Sequence, residues 1–412
     1  MNTISLNSIS LDGNIIRKGG GGSSAVTSAS VSDVNFLDYD GTILYSYTKE
    51  QFLALSAMPK LPTREGLICQ GWNWTLDEAK EYVADFGMLN IGTMYITDDG
   101  DTRLYIRIAT EGRMDVPLYW SQTVANGVSI DWGDGSAIQT FTGTGNKNTT
   151  HTYAKHGDYV IRLKVTSGIL GLGDGSSSNC VMGSTGNNGI VYCNMLQKIE
   201  IGSSVADIRI EAFNNCSSLA SVSIPSGVTS IGFYAFNNCL SLASVSIPSS
   251  VTSIGGNAFN NCLSLASVSI PSGVTSIGFY AFSYCPSLAS VSIPSSVTSI
   301  GGNAFNSCSS LASVSIPSGV TSIGDNAFSY CSSLASVSIP SGVTSIGFYA
   351  FSYCFGMAIY DFTHHTSVPT LENVNAFQNI PSDCVIKVPS SLLSAWKAAT
   401  NWSTYASQIV GV

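Results

Sequence analysis

The stretch Leu219-Ala-Ser-Val-Ser-Ile-Pro-Ser-Gly-Val-Thr-Ser-Ile-Gly-Phe-Tyr-Ala-Phe-Asn-Asn-Cys239 returns almost letter for letter as far as Cys354. Its cysteines set the period: Cys193, Cys216, Cys239, Cys262, Cys285, Cys308, Cys331 and Cys354 stand 23 residues apart. The phenylalanines from Phe213 to Phe351 keep the same step, as do the Ile-Pro pairs from Ile224-Pro225 to Ile339-Pro340. A fixed period of this length is the signature of a solenoid. Within one copy Val222 and Ile224 alternate with Ser221 and Ser223, which predicts a strand with one face in and one out. Pro225 and Gly227 turn the chain, and Val228, Ile231, Phe236 and Cys239 are apolar again. No copy closes a core alone. Stacked strand on strand at ~4.8 Å, seven units make a rod roughly 35 Å long.

At 412 residues the chain exceeds one ordinary domain, and its 44% hydrophobic share is enough for packed cores. Charged residues are only 10%, against a usual share of about 25%. The net charge of −9 argues against nucleic acid or an anionic membrane as the main partner. Between Ala212 and Cys354 the sole charged residue is Asp325, so Ser, Thr and Asn are expected to wet the repeat surface. Eleven cysteines divide into eight on the ladder and three apart, Cys69, Cys180 and Cys384. This odd count at long regular spacing predicts no disulfide framework, only stacked free thiols and hence a reducing compartment. With no CxxC and no neighbouring histidine, no metal is expected. The first twelve residues lack the basic and apolar regions of a signal peptide, and no apolar run reaches the ~18 residues of a membrane span.

The fold class is β-rich and modular. Residues 1–32 read as a flexible N-terminal arm with the run Gly19–Gly22. Residues 33–113 read as a small α/β leader. It has a hairpin around Asp40-Gly41 and a helix at Lys49–Ala57. A capping box Thr75-Leu-Asp-Glu78 opens a second helix, and strands at Met94–Ile96 and Arg103–Ile108 flank an acidic turn. Residues 114–168 read as an all-β unit and 169–192 as a linker or N-cap. The solenoid is placed at 193–355 and a C-terminal capping unit at 356–412. There Ala376-Phe377, Val385–Val388 and a helix from Leu392 capped by Ser390 or Ser391 close the rod.

Two motifs in the β unit carry a resemblance. Asp131-Trp-Gly-Asp-Gly135 and His151-Thr-Tyr153, the latter followed by Gly157-Asp-Tyr159, are similar to PKD domains. These are Ig-like β-sandwiches, and the resemblance implies a spacer or adhesive module without catalysis. The repeat itself resembles BspA-type leucine-rich repeats, xLxxVxIPxxVxxIGxxAFxxC. That family implies bacterial surface and secreted proteins engaged in adhesion, and similar repeats occur in prophage-borne proteins of gut bacteria. Phe36–Tyr47, Gln70–Thr75 and Met94–Gly100 look like the leader of the prophage-type proteins.

Chemistry is sparse. His151 reads as structural within its motif, and His364-His365 has no ligand cluster beside it. Asp131, Asp134 and Asp158, or Asp98, Asp99 and Asp101, could meet Ca²⁺, but turn capping is the plainer reading. No GxSxG, P-loop or GxGxxG after a strand is present, and the chain is expected to be no enzyme and to carry no cofactor. What remains are the columns where copies differ. Phe233-Tyr234, Phe279-Tyr280 and Phe348-Tyr349 alternate with Gly256-Asn257, Gly302-Asn303 and Asp325-Asn326. A second column reads Asn238, Asn261, Tyr284, Ser307, Tyr330 and Tyr353. The aromatic members of both columns are the expected ligand-binding residues, since aromatics stack on sugar rings and Tyr is enriched at protein interfaces; equally, these are tolerant turn positions. The expected partner is a cell-surface glycan or protein, with homo-oligomer or virion attachment through the arm. Two roles fit: a tail-fibre-like receptor-binding protein of a virion, or a BspA-like cell-surface adhesin.

Overall fold

The computed structural model describes residues 33–39, 41–109, 113–175, 179–184 and 190–412; the arm at 1–32 lies outside them. Each repeat contributes two short strands. The first is Ser-Val-Ser, as at Ser221–Ser223, Ser244–Ser246 and Ser267–Ser269; the second is Ser-Ile, as at Ser230–Ile231 and Ser253–Ile254. Copies pair in parallel and in register, Val222 opposite Val245, Val245 opposite Val268, and Ile231 opposite Ile254. The remaining turn ribbon is bonded as well: Phe236 N–H donates to Ala258 O at 2.7 Å and Asn238 N–H to Asn260 O at 2.9 Å. Three sides of each coil are thus zipped to the next, which satisfies backbone groups that burial would otherwise leave costly.

The inward columns form ladders. From Phe213 to Phe351, neighbouring phenylalanine rings stand 5.1–5.5 Å apart and nearly parallel. The cysteine column has its own chemistry. Cys239 Sγ donates to Phe213 O, Cys262 to Phe236 O and Cys285 to Phe259 O, each at 3.2 Å. A small side chain with a weak donor fits where a buried carbonyl needs a partner. Burial pushes the Cys285 and Cys354 thiols up to about 12, and raises those of Cys239, Cys262, Cys308 and Cys331 as well. Alkylation of the native protein at neutral pH should therefore spare Cys216–Cys354 and reach Cys69, which is half-buried, before any of them. Labelling of a ladder cysteine before unfolding would contradict this packing.

One expectation about cysteines fails. Cys180 and Cys193 are joined in a disulfide, and Cys216 Sγ lies within 4.8 Å of both sulfurs. Cys193 therefore leaves the free ladder, and the thiols are not all reduced. The spacing hid this, because Cys180 is off the period.

Both solenoid sheets continue into the β unit. Leu196–Glu200 pairs antiparallel with Thr102–Ile108, which pairs with Gly157–Val165, then Val128–Asp131 and Gln139–Thr140. Val205–Ile208 pairs with Leu170–Leu172, which pairs with Asp115–Gln122 and through it with Gly145–Thr152. One core runs from Leu104 to Ile409, and the sheets cross the boundaries drawn at 113/114, 168/169 and 192/193. The acidic turn is accordingly a corner and not a hairpin. Leu89–Thr97 before it pairs with Val34–Leu37 and Leu67–Trp72. Thr102–Ile108 after it turns Leu104, Ile106 and Ile108 into the main core.

The far end is closed by aromatics. Phe377 stacks on Phe351 at 5.6 Å, and Trp402 lies 5.4 Å from Phe377 and 4.6 Å from Trp396. Val385–Val388 pairs with Ile359–Asp361 as the strand expected there. The closing helix is Leu393–Ala398; Ser390 and Ser391 form a 3-10 turn ahead of it instead of capping it.

The leader (33–100) has its own core around Phe36, Phe52, Trp72, Trp74 and Val83, and Thr75 and Glu78 make the capping box read from the sequence. Its placement is the largest surprise. It lies across the Ser-Val-Ser face of the solenoid. Trp74 Nε1 donates to Ser269 Oγ at 2.6 Å, Tyr95 N–H to Ser223 Oγ at 2.9 Å and Asn90 Nδ2 to Ser290 Oγ at 3.0 Å; Ser244 Oγ donates to Tyr39 O at 3.0 Å. Ser223, Ser246, Ser269 and Ser292 are consequently only 4–6% exposed. The serine rows expected to wet the surface instead form a buried hydroxyl lattice over four rungs.

Candidate functional site

The positions where copies differ share a backbone feature. Tyr234, Tyr280 and Tyr349 have φ of 55–57°, as do Asn257, Asn303 and Asn326 in the alternate copies. The second column repeats it: Asn215, Asn238, Asn261, Tyr284, Ser307, Tyr330 and Tyr353 have φ of 54–63°. Both columns are left-handed corners, where Asn fits readily and a bulky side chain is unusual.

The first column is half explained by packing. A Cβ at Gly256 would press on the Phe233 ring at 3.2 Å, and one at Gly302 on the Phe279 ring at 3.0 Å. Phe233 and Phe279 thus each lie over the glycine of the following copy, which is why Phe and Gly alternate there. The rings still face solvent, Phe279 at 66% exposure. At the next corner Asp325 replaces the glycine, and its Oδ1 accepts from Phe348 N–H at 2.7 Å.

The second column makes a ridge with two halves. Upstream, Asn238 Nδ2 donates to Asn215 Oδ1 at 2.8 Å and Asn261 Nδ2 to Asn238 Oδ1 at 2.7 Å, an amide ladder. Downstream come Tyr284, Ser307, Tyr330 and Tyr353. Tyr330 and Tyr353 stack at 4.4 Å, and Phe355 meets Tyr353 edge-on at 6.0 Å. Phe355 was not among the residues expected from the sequence. The signal existed, since Ser217, Leu240, Leu263, Pro286, Ser309 and Ser332 hold its column in the other copies.

A second concave feature has no sequence signature. Where the leader ends, a cleft of about 770 Å³ opens between Asn90 and Met88 on the leader and Ser313, Ser315 and the exposed Ser336 and Ser338, with His364 also lining it.

The other candidate groups are occupied elsewhere. Asp131 and Asp134 accept from Gly133 N–H and Ser136 N–H in their own turn, and Asp158 pairs with Arg107. Asp98 and Asp99 pair with Arg103, which also reaches Glu200 at 3.1 Å where the β unit meets the first coil. His151 stacks on Trp132 at 4.8 Å and meets Asp134 at 2.7 Å. Tyr153 donates to Trp132 O, so both motifs of the β unit fold onto one another. Burial raises the Asp134 carboxyl, but hydrogen bonds from Ser136 and His151 outweigh that and hold it at about 2. This depressed value means that the turn is stabilised above the ordinary carboxyl range, and that the stabilisation is lost as pH falls from about 4 towards 2. Amide exchange at Gly133 and Ser136 should rise through that window, and Asp134→Asn should flatten the rise. His365 is buried with Nε2–H donating to Ile339 O, and burial pushes its pKa down.

Residues 183–312 and 252–385 match the BspA type leucine rich repeat region, in six copies. The solenoid is a BspA-type leucine-rich-repeat region. No curated protein matches the chain. Among solved structures, a leucine-rich repeat protein from Bacteroides ovatus is 24% identical, over 64% of this chain and 70% of that one, with a TM-score of 0.42. A T. pallidum leucine rich repeat protein is 32% identical over 39% and 84%, with a TM-score of 0.35. A leucine rich cell surface protein from Faecalibacterium prausnitzii is 25% identical over 66% and 89%, with a TM-score of 0.32. In the BspA-type region described here, the repeat consensus fixes the ladders and leaves the two corner columns to vary. Among the described residues no helix is long and apolar enough to cross a membrane.

Proposed function

We propose that this protein is a non-enzymatic recognition protein that attaches to a bacterial surface glycan or protein through the corner columns of its BspA-type region, in the manner of a tail-fibre-like receptor-binding protein. One observation carries the reading. Six tyrosines, Tyr234, Tyr280, Tyr284, Tyr330, Tyr349 and Tyr353, occupy left-handed corners that other copies fill with Asn or Ser. The left-handed region costs a non-glycine residue roughly 1–2 kcal/mol, with Asn penalised least. Folding alone favours Asn there, so tolerance of the corner does not account for Tyr. Tyr234, Tyr280, Tyr284 and Tyr330 are exposed, and strain kept at exposed aromatic positions points to use. The PKD-like β unit and the leader then serve as the spacer and clasp that present the rod.

Tyr234→Asn and Tyr280→Asn test this directly. Both substitutions copy the residue of sister corners, so the fold is preserved; stability should hold or rise slightly while attachment to target cells falls at least tenfold. Unchanged attachment would reduce these columns to scaffold. Mass spectrometry of purified virions against surface shaving of intact cells decides the setting. Detection on cells alone would favour a BspA-like adhesin over a virion component.

A further inference from the structure

We infer that the gap at Ser307, walled by Tyr284 and Tyr330, is a slot for one pyranose ring of a neutral oligosaccharide lying along the ridge. This rests on the recognition role of the corner columns and names the ligand class for one of them. The downstream ridge would be an unbroken tyrosine stack but for Ser307. Tyr330 and Tyr353, one copy apart, already stack at 4.4 Å with rings 3° from parallel, which leaves nothing room to enter between them. Tyr284 and Tyr330 are two copies apart, separated by two steps of the solenoid, which measure 5.5 Å and 5.4 Å on the phenylalanine ladder of the same coils. A flat ring over Ser307 would have a tyrosine on each side at one step. That lies inside the 4.5–7 Å range over which rings make favourable contact.

The walls and floor suit a sugar. Tyr284 and Tyr330 are 54% and 47% exposed, so their faces are open. The Ser307 hydroxyl is held down on Asn306 Oδ1 at 2.9 Å and does not fill the space. Next upstream of Tyr284 the amide ladder of Asn261, Asn238 and Asn215 offers donors and acceptors at the same step. A pyranose presents C–H groups on its two faces and hydroxyls at its rim. The faces pair with the tyrosine rings, and the hydroxyls of adjoining units pair with the amides. Among the described residues Asp325 is the one charged group between Ala212 and Cys354, and no cation lines the ridge to meet an acidic sugar. An oligosaccharide without charge is therefore the class that fits. A protein partner would instead use the tyrosines as a flat apolar patch and gain from a filled gap.

That contrast defines the test. Ser307→Tyr closes the slot while adding a side chain that Tyr284 and Tyr330 show the corner accepts. The full chain is titrated calorimetrically with a panel of neutral hexaoses built from glucose, galactose, mannose, xylose and N-acetylglucosamine, and attachment to target cells is measured in parallel. The expected result is binding of at least one hexaose that drops tenfold or more in both Ser307→Tyr and Tyr284→Ala, with a circular dichroism spectrum unchanged. Attachment that survives Ser307→Tyr but is lost in Tyr330→Ala would overturn the slot while leaving the ridge as a protein-binding surface. Loss in neither variant would remove the ridge altogether, and hexaose binding insensitive to Ser307→Tyr would also overturn the slot.

Discussion

Phe282→Ala is expected to destabilise the protein by about 3–5 kcal/mol, the usual cost of truncating a fully buried phenylalanine. Phe282 has no exposed surface and stacks on Phe259 at 5.3 Å and on Phe305 at 5.5 Å. The effect should exceed a simple cavity. In a solenoid each coil is held only by its neighbours, so a weakened coil near the middle uncouples the two halves. The coils as far as Ser292, including the one that carries Phe282, keep an extra tie, because the leader spans the rungs at Ser223, Ser246, Ser269 and Ser292, whereas the coils beyond Ser292 have none. Denaturant unfolding should therefore change from one transition to two, the C-terminal coils melting first. A single transition shifted by less than about 1.5 kcal/mol, within the range of volume-conserving core changes, would mean that the ladder does not carry cooperativity.

Gly92→Leu is expected to release the leader. A Cβ at Gly92 would overlap the Ser246 hydroxyl, and Gly92 is fixed on one side by pairing with Leu37 and on the other by Asn73, whose Oδ1 accepts from Gly92 N–H at 2.7 Å and whose N–H donates to Gly92 O at 2.9 Å. The interface beneath it is made of hydrogen bonds between polar groups, each contributing only about 0.5–1.5 kcal/mol net. Such an interface does not survive a lost close approach. Amide protection at Tyr95, whose N–H donates to Ser223, should fall by a hundredfold or more, and the four buried serines should become accessible to hydroxyl-radical footprinting. The core of the leader, around Phe36 and Trp72, does not involve Gly92 side-chain space, so its helices should persist. Protection at Tyr95 equal to that of the unaltered protein would show that the leader is held by something other than this contact.

The two expectations sit on different levels of legibility. Phe282 could be named from the 23-residue step alone, because a stacked repeat places every period-matched apolar residue in one column. So could the closing strand at Val385–Val388 and the capping box at Thr75–Glu78, which depend on local pattern. Gly92 could not. Nothing nearby in sequence marks it, and its partner lies more than 150 residues away. The disulfide between Cys180 and Cys193 was hidden for another reason: its halves are 13 residues apart, but Cys180 stands off the period. The corner columns fall between these cases. Their variability was visible, but the strain that gives Tyr284 and Tyr330 meaning is a φ value, and the alternation of Phe with Gly became packing only when the Phe233 and Phe279 rings were seen over the next copy.

By itself the sequence determined the coil, its register, its ladders and its two variable columns. These are periodic, and a period of 23 residues leaves one way to stack identical copies. Only the tertiary structure decided which of the equivalent serines are buried. Ser246 and Ser338 lie in nearly identical surroundings in sequence, yet one is sealed under Gly92 and the other is bare. A repeat cannot encode that difference, because identical copies differ only in what a non-repeating segment places on them.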